Sequence, residues 1–145
     1  MSKERRDGQE RSIDTMYLRL SSQLVKKETA EIARLSGKKL TLTEVHTLSA
    51  ISAEDVCPMR RVAEQLGVTL STLTVSINRL VVKGYVSRIR SENDQRVVFL
   101  NLTQKGLDIV SAHETYHREL ISRALSGLND DEVDTLKRLF EKIDA

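Results

Sequence analysis

The chain has 145 residues, 39% of them hydrophobic, and 23 basic against 21 acidic side chains leave a net charge of +2. That length suits a single domain with a modest core. A lone cysteine excludes an internal disulfide, and no apolar run is long enough for a signal peptide or membrane span, so a cytoplasmic protein with no membrane partner is expected.

The opening stretch, Ser2 to Arg11, is polar and densely charged and is expected to fray. Beyond it Ile13, Met16, Tyr17, Leu20, Leu24 and Leu35 fall on one stripe of a long first helix. Glu28 and Glu31 lie within that stripe, where a carboxylate needs a compensating partner. Ser36-Gly37-Lys38-Lys39 breaks the helix, and Thr43 is the expected cap of a second one carrying Val45, Leu48 and Ile51. Cys57-Pro58 ends the connection that follows. Cys57 reads either as a redox-sensitive thiol or as a small packing residue.

Val62, Ala63 and Leu66 have the spacing of a short amphipathic helix, closed by Gly67 as the turn. Thr69 is placed to cap the next helix, 69 to 83, with Leu70, Leu73, Ile77, Leu80 and Val81 inward and Gly84 past its end. Its other face presents Ser71, Thr72, Val75, Asn78 and Arg79, groups that can approach base edges and phosphates. Tyr85 to Arg90 and Arg96 to Leu102 read as two strands joined by the polar turn Ser91 to Gln95. Arg88, Arg90 and Arg96 cluster near the hairpin tip, suited to an A·T-rich minor groove, with Asp94 placed to orient Arg96. Helix, turn, helix and hairpin in this order make a winged helix-turn-helix. Between Pro58 and Leu100, Arg60, Arg61, Arg79, Lys83, Arg88, Arg90 and Arg96 oppose Glu64, Glu92 and Asp94, a local charge of +4 against +2 for the whole chain. Basic charge is thus concentrated where duplex DNA would lie. Arg60 and Arg61 are either phosphate contacts or solvated charges at a helix start. With 3% aromatic residues and no Trp, stacking on single strands is disfavoured.

Thr103 caps a long helix reaching about Ser122 to Leu125, and Gly127 marks its end. Asn129-x-x-Glu132 is a capping box opening a last helix striped with Val133, Leu136, Leu139, Phe140 and Ile143. These terminal stripes either pack within one chain or pair two copies about a two-fold axis, which would set two reading helices in successive major grooves. His113-Glu114-Thr115-Tyr116-His117 spells the H-E-x-x-H string of zinc peptidases. A peptidase also needs a third ligand and a substrate cleft. Because the rest of the chain is accounted for by the DNA-binding frame, a non-enzyme is expected and peptidase activity is the remote alternative. By helical spacing His113 and His117 share a face with Val110, Ile121, Ala124 and Leu128, and are expected to point inward.

Leu66-Gly67-Val68-Thr69, the Leu80 to Gly84-Tyr85 helix end, Asp94-x-Arg96 and Leu102-Thr103-x-x-Gly106 together resemble the MarR family of transcriptional regulators over nearly the whole chain. Val68-Thr69-Leu70, Thr72, Thr74, Ser76, Asn78, Lys83-Gly84-Tyr85 and Arg96-Val97-Val98 look most like its FabT-type fatty-acid-biosynthesis repressors. The resemblance implies that Ser71, Thr72, Val75, Asn78 and Arg79 occupy recognition-helix positions and Arg96 the wing-arginine position. Val75, often polar or basic in relatives, is suited here to a thymine methyl. His46 completes with Glu28, His113 and His117 a set similar to the ligand positions of zinc-sensing relatives, although FabT-type members share the histidines without being regarded as zinc sensors.

Three readings of this set stand side by side. They are buried histidines satisfied by carboxylates, a regulatory zinc site, or an effector pocket for an acyl-type corepressor. No cofactor is required, zinc entering only as the regulatory ion of the second reading. The expected protein is mainly α with a small β-hairpin wing, a single domain over 1–145. Helices in 1–36 and 104–145 form the dimer, and 42–102 form the DNA-binding core. It is expected to bind a pseudo-palindromic duplex site as a homodimer and to repress by occupancy. A ligand between core and dimerisation helices would alter the spacing of the readers.

Overall fold

The computed structural model describes residues 3–52, 56–94 and 96–143, in two compact units, Met1–Val110 and Ser111–Ala145. Ser2 and Gln95, at the edges of two expected segments, lie outside the described residues.

In the first unit, α1 (Lys3–Ser36) is helical from its third residue, so the charged start is not frayed as expected. Lys, Glu, Arg and Gln are good helix formers, and Arg6 donates to Glu10 one turn on at 3.2 Å. The helix stops where Gly37 and Lys38 both enter the left-handed region, at φ 59° and 62°. The next helix, α2 (Leu42–Ser52), is capped by Thr41 and not by Thr43. The Glu44 N–H donates to Thr41 Oγ1 at 3.2 Å and the Thr41 N–H donates to Glu44 Oε2 at 3.0 Å, a reciprocal capping box.

Cys57–Pro58 is a short strand, β1, rather than the end of a loop, and leads directly into α3 (Met59–Leu66). Then come α4 (Leu70–Val82), β2 (Val86–Arg90), β3 (Val98–Leu102) and α5 (Gln104–Leu125). The sheet has three antiparallel strands in the order β1-β3-β2, with Cys57 opposite Leu100 and Arg88 opposite the same leucine from the other side. The hairpin strands are shorter than expected. Arg96 and Val97 belong to the turn.

Leu48, Val45 and Ile51 of α2, Val62 of α3, Leu73, Ile77 and Leu80 of α4, Tyr85 and Leu100 are all but inaccessible to solvent and form the core with Ile32 of α1. Burying each large aliphatic side chain contributes about 1.5–3 kcal/mol. Two residues expected on the inner face of α4, Leu70 and Val81, are exposed. The buried stripe at 73, 77 and 80 follows the helical period, and these two flank it.

The second unit contains the rest of α5 and α6 (Asp130–Ile143). The expected capping box is present: the Glu132 N–H donates to Asn129 Oδ1 at 3.0 Å and the Asn129 N–H donates to Glu132 Oε2 at 2.9 Å. Within α5, His113 is buried and His117 half-buried, but Ile121 and Ala124 are exposed, as is Leu128 past the helix end, so the inward face is shorter than the spacing suggested. No helix among the described residues is long and apolar enough to cross a membrane.

Candidate nucleic-acid interface

The turn between α3 and α4 is fixed by the backbone. Gly67 sits at φ 64°, where its N–H donates to Glu64 O at 3.1 Å and the following Val68 N–H to Ala63 O at 3.0 Å. Thr69, extended at φ −71° and ψ 154°, accepts the Thr72 N–H at 3.2 Å and so opens α4. With Leu73, Ile77 and Leu80 locked into the core, the opposite face of α4 presents Ser71, Thr72, Val75, Asn78 and Arg79 to solvent. The Thr72 and Thr69 hydroxyls are 2.9 Å apart, which restrains Thr72. The face offers short hydroxyl and amide groups, one apolar methyl pair and one guanidinium, all within reach of base edges or phosphates.

The wing tip is held by its own side chains. The Ser91 N–H donates to Val97 O at 3.0 Å, and Ser91 Oγ accepts from the amides of Asn93 and Asp94 at 3.3 Å each. Asp94 Oδ1 accepts the backbone N–H of Arg96 at 2.9 Å. The aspartate thus orients Arg96 through its amide, leaving the guanidinium outside that bond.

Arg60, Arg88, Arg90 and Arg96 line a groove of about 630 Å³ between the start of α3, the first turns of α4 and the wing, over an apolar floor that includes Pro58, Met59, Leu70, Val97 and Val98. All four arginines are exposed. Among the described residues no carboxylate lines this groove, so like charges converge there and a polyanion is the natural counterpart. Arg61 is exposed on the next position of α3.

Lys83 does not belong with these cations. Its Nζ donates to both Glu44 oxygens, at 2.7 and 2.8 Å, and the Glu44 side chain is 9% exposed. Burial pushes the Glu44 carboxyl up, but the Lys83 ammonium and the Thr41 amide outweigh it and hold the group below its ordinary value. The spacing Thr41-x-x-Glu44 was the available sequence signal, being a capping-box pattern like that at Asn129. Lys83 lies 39 residues away, and nothing local announces the pairing.

Among the candidate effector residues, each unit has one close contact of its own. In the first unit His46 Nε2 is 3.3 Å from Glu28 Oε1, an imidazole-carboxylate contact on a partly exposed face. The other carboxylate of the α1 stripe, Glu31, takes a two-point contact from Arg34, which lowers its pKa against a smaller opposing effect of burial. In the second unit His113 Nε2 and His117 Nε2 are 3.1 Å apart, with rings edge to face at 4.5 Å, so one ring donates and the other accepts. Glu114 is exposed.

Residues 33–113 match the family described as transcriptional regulator SarA/Rot. The chain is 32% identical to the multiple antibiotic resistance protein MarR of Salmonella typhimurium, over 75% of this chain and 76% of that protein. It is 33% identical to the transcriptional regulator ZitR of Lactococcus lactis over 60% of this chain, and spans only 59% of that relative's length. Among solved structures, FabT of Streptococcus pneumoniae in complex with DNA superposes with a TM-score of 0.87 at 28% identity, covering 92% of this chain and 93% of that one.

Proposed function

The chain belongs to the MarR and SarA/Rot family of winged-helix transcriptional regulators, and from that premise we propose that it binds duplex DNA sequence-specifically as a homodimeric repressor. The observation that carries this reading is the pairing, within one unit, of an exposed hydrogen-bonding face on α4 with a groove lined by four arginines. In this reading α4 enters the major groove. Ser71, Thr72, Val75 and Asn78 meet base edges, while Thr69 and Arg79 meet the backbone. Arg96 enters the neighbouring minor groove, and Arg60, Arg88 and Arg90 hold phosphates.

Dimer formation is supported by the apolar surface a single copy leaves in water. On α1, Ile13, Met16, Tyr17 and Leu20 are each more than half exposed, and on α6 Phe140 and Ile143 are 62% and 81% exposed. Apolar stripes of this kind call for a partner. A second copy is the occupant consistent with a two-fold operator. Likeness to FabT along nearly the full chain supports the narrower reading, a repressor of fatty-acid-biosynthesis genes governed by an acyl-type ligand.

Selection from a random duplex library, followed by fluorescence anisotropy on the enriched sequence, tests the reading. The expected outcome is an A·T-rich site with two-fold symmetry, bound by two copies and at least about a thousandfold tighter than random duplex. Enrichment of no sequence, or binding by one copy to an asymmetric site, would overturn it. Adding medium- and long-chain acyl compounds or zinc to the same titration then asks whether either ligand changes the affinity.

A further inference from the structure

Resting on the DNA-binding reading, we propose that Lys83 is a positioning residue: through its ion pair with Glu44 it fixes the angle at which α4 meets DNA, and so governs discrimination between sequences rather than attraction to the phosphate backbone.

The two ends of α4 are held differently. At its start the cap is local, the Thr72 amide donating to Thr69 three residues away. At its end the attachment is to two other elements. The Lys83 side chain reaches back to α2, where both oxygens of the nearly buried Glu44 accept its ammonium and the Thr41 amide donates to one of them as well. The Lys83 carbonyl accepts from Lys105 Nζ at 3.0 Å, at the first turn of α5. The next two carbonyls are taken in the same way: Gly84 O accepts from Thr103 Oγ1 at 2.7 Å and Tyr85 O from the Thr103 N–H at 3.1 Å. Lys105 also lies over the Tyr85 ring, 4.2 Å from its centre. Three consecutive carbonyls past a helix end, groups that commonly face water, are therefore all claimed by residues 103–105.

Geometry converts this asymmetry into specificity. With a rise of about 1.5 Å per residue, Asn78 and Val75 lie about 7 and 12 Å from the anchor at Lys83. A tilt of about 10° at that anchor would move them by about 1–2 Å, enough to leave the narrow distance window of a hydrogen bond to a base edge. The attraction of the arginines for phosphates acts over about 8–10 Å and would hardly change. Neutralised by Glu44, Lys83 adds little to that attraction.

The test uses the full-length protein and the selected duplex. Lys83→Met keeps the aliphatic stem, Glu44→Gln removes the partner charge, and Lys83→Arg keeps the charge while changing the reach. Affinities for selected and random duplex are measured by anisotropy across a salt series. Lys83→Met and Glu44→Gln are each expected to lower the selected-to-random ratio by about tenfold, with the salt slope unchanged in Lys83→Met. The double variant is expected to be no worse than either single one, as for two members of one interaction. Lys83→Arg should reduce the ratio less and also leave the slope alone, which keeps the test decisive if Lys83→Met does not fold. A loss of about two units of slope per dimer, falling equally on both duplexes, would instead make Lys83 a phosphate-binding residue and overturn the inference. An unchanged ratio would overturn it too. Wild-type protein without any preference for the selected duplex would refute the DNA-binding reading itself, and that result precedes every substitution.

Discussion

Replacing Arg96 with alanine removes an exposed cation of the wing turn at small cost to the fold. Arg96 is exposed and contributes its backbone amide, not its guanidinium, to the bond with Asp94 that closes the turn. The alanine variant therefore keeps that bond, and folding stability should change by no more than about 0.5 kcal/mol. If each Arg96 of a dimer neutralises one phosphate, removing both guanidinium groups reduces the slope of log affinity against log salt by about 1.8. Between about 50 and 200 mM salt, the difference in affinity between wild type and variant should then shrink about twelvefold, because rising salt weakens two more phosphate contacts per dimer in the wild type than in the variant. Anisotropy titrations at four salt concentrations on one duplex measure this directly. Parallel lines for the two proteins, even if offset, would refute the phosphate or minor-groove role of Arg96.

Asn78→Ala should cost about 1–3 kcal/mol on the selected duplex and leave random duplex unaffected; equal losses on both would remove Asn78 from base readout. A Cβ on Gly106 would run into the backbone carbonyl of Tyr85, whereas one on Gly127 would meet open space. Gly106→Ala is thus expected to lower stability by about 1–3 kcal/mol in urea unfolding, with Gly127→Ala within about 0.5 kcal/mol of wild type. Similar midpoints for the two would contradict the packing described. The Glu44 carboxyl lies below its ordinary value of 4.5 in the folded chain. The unfolded chain therefore binds the proton more readily, and the pair's contribution is complete above that value and is lost as pH falls through the lower, folded one. Unfolding midpoints measured from about pH 6 down to pH 3 should fall less steeply for Glu44→Gln than for wild type, and identical pH slopes would show that Glu44 is not the group responsible.

Legibility in the sequence followed the range of the interaction. Thr69, Thr103 and the Asn129–Glu132 box were readable because a cap and its target lie within three residues. The core face of α4 emerged from its period, except at Leu70 and Val81, whose exposure depends on how far neighbouring elements extend. The choice of Thr41 over Thr43 was also local, since Thr41-x-x-Glu44 has the capping-box spacing that Thr43 lacks, and there the signal was passed over. β1 was missed because two residues carry no alternation and pair only with a strand some 40 positions later. For the same reason a count of charges placed Lys83 in the basic patch, although Glu44 satisfies it.

The β1-β3-β2 sheet leaves two strand edges available to other chains. One is blunted by β1 itself, which is two residues long and ends in Pro58, a residue with no N–H to offer. The other is β2, where Arg88 and Arg90 flank the exposed Ile89. Charge there discourages strand-to-strand aggregation, independently of any duplex. In the proposed DNA-binding reading Arg88 and Arg90 therefore serve twice, holding phosphates and guarding the strand edge, so that loss of charge at the turn would cost solubility less than loss along the strand.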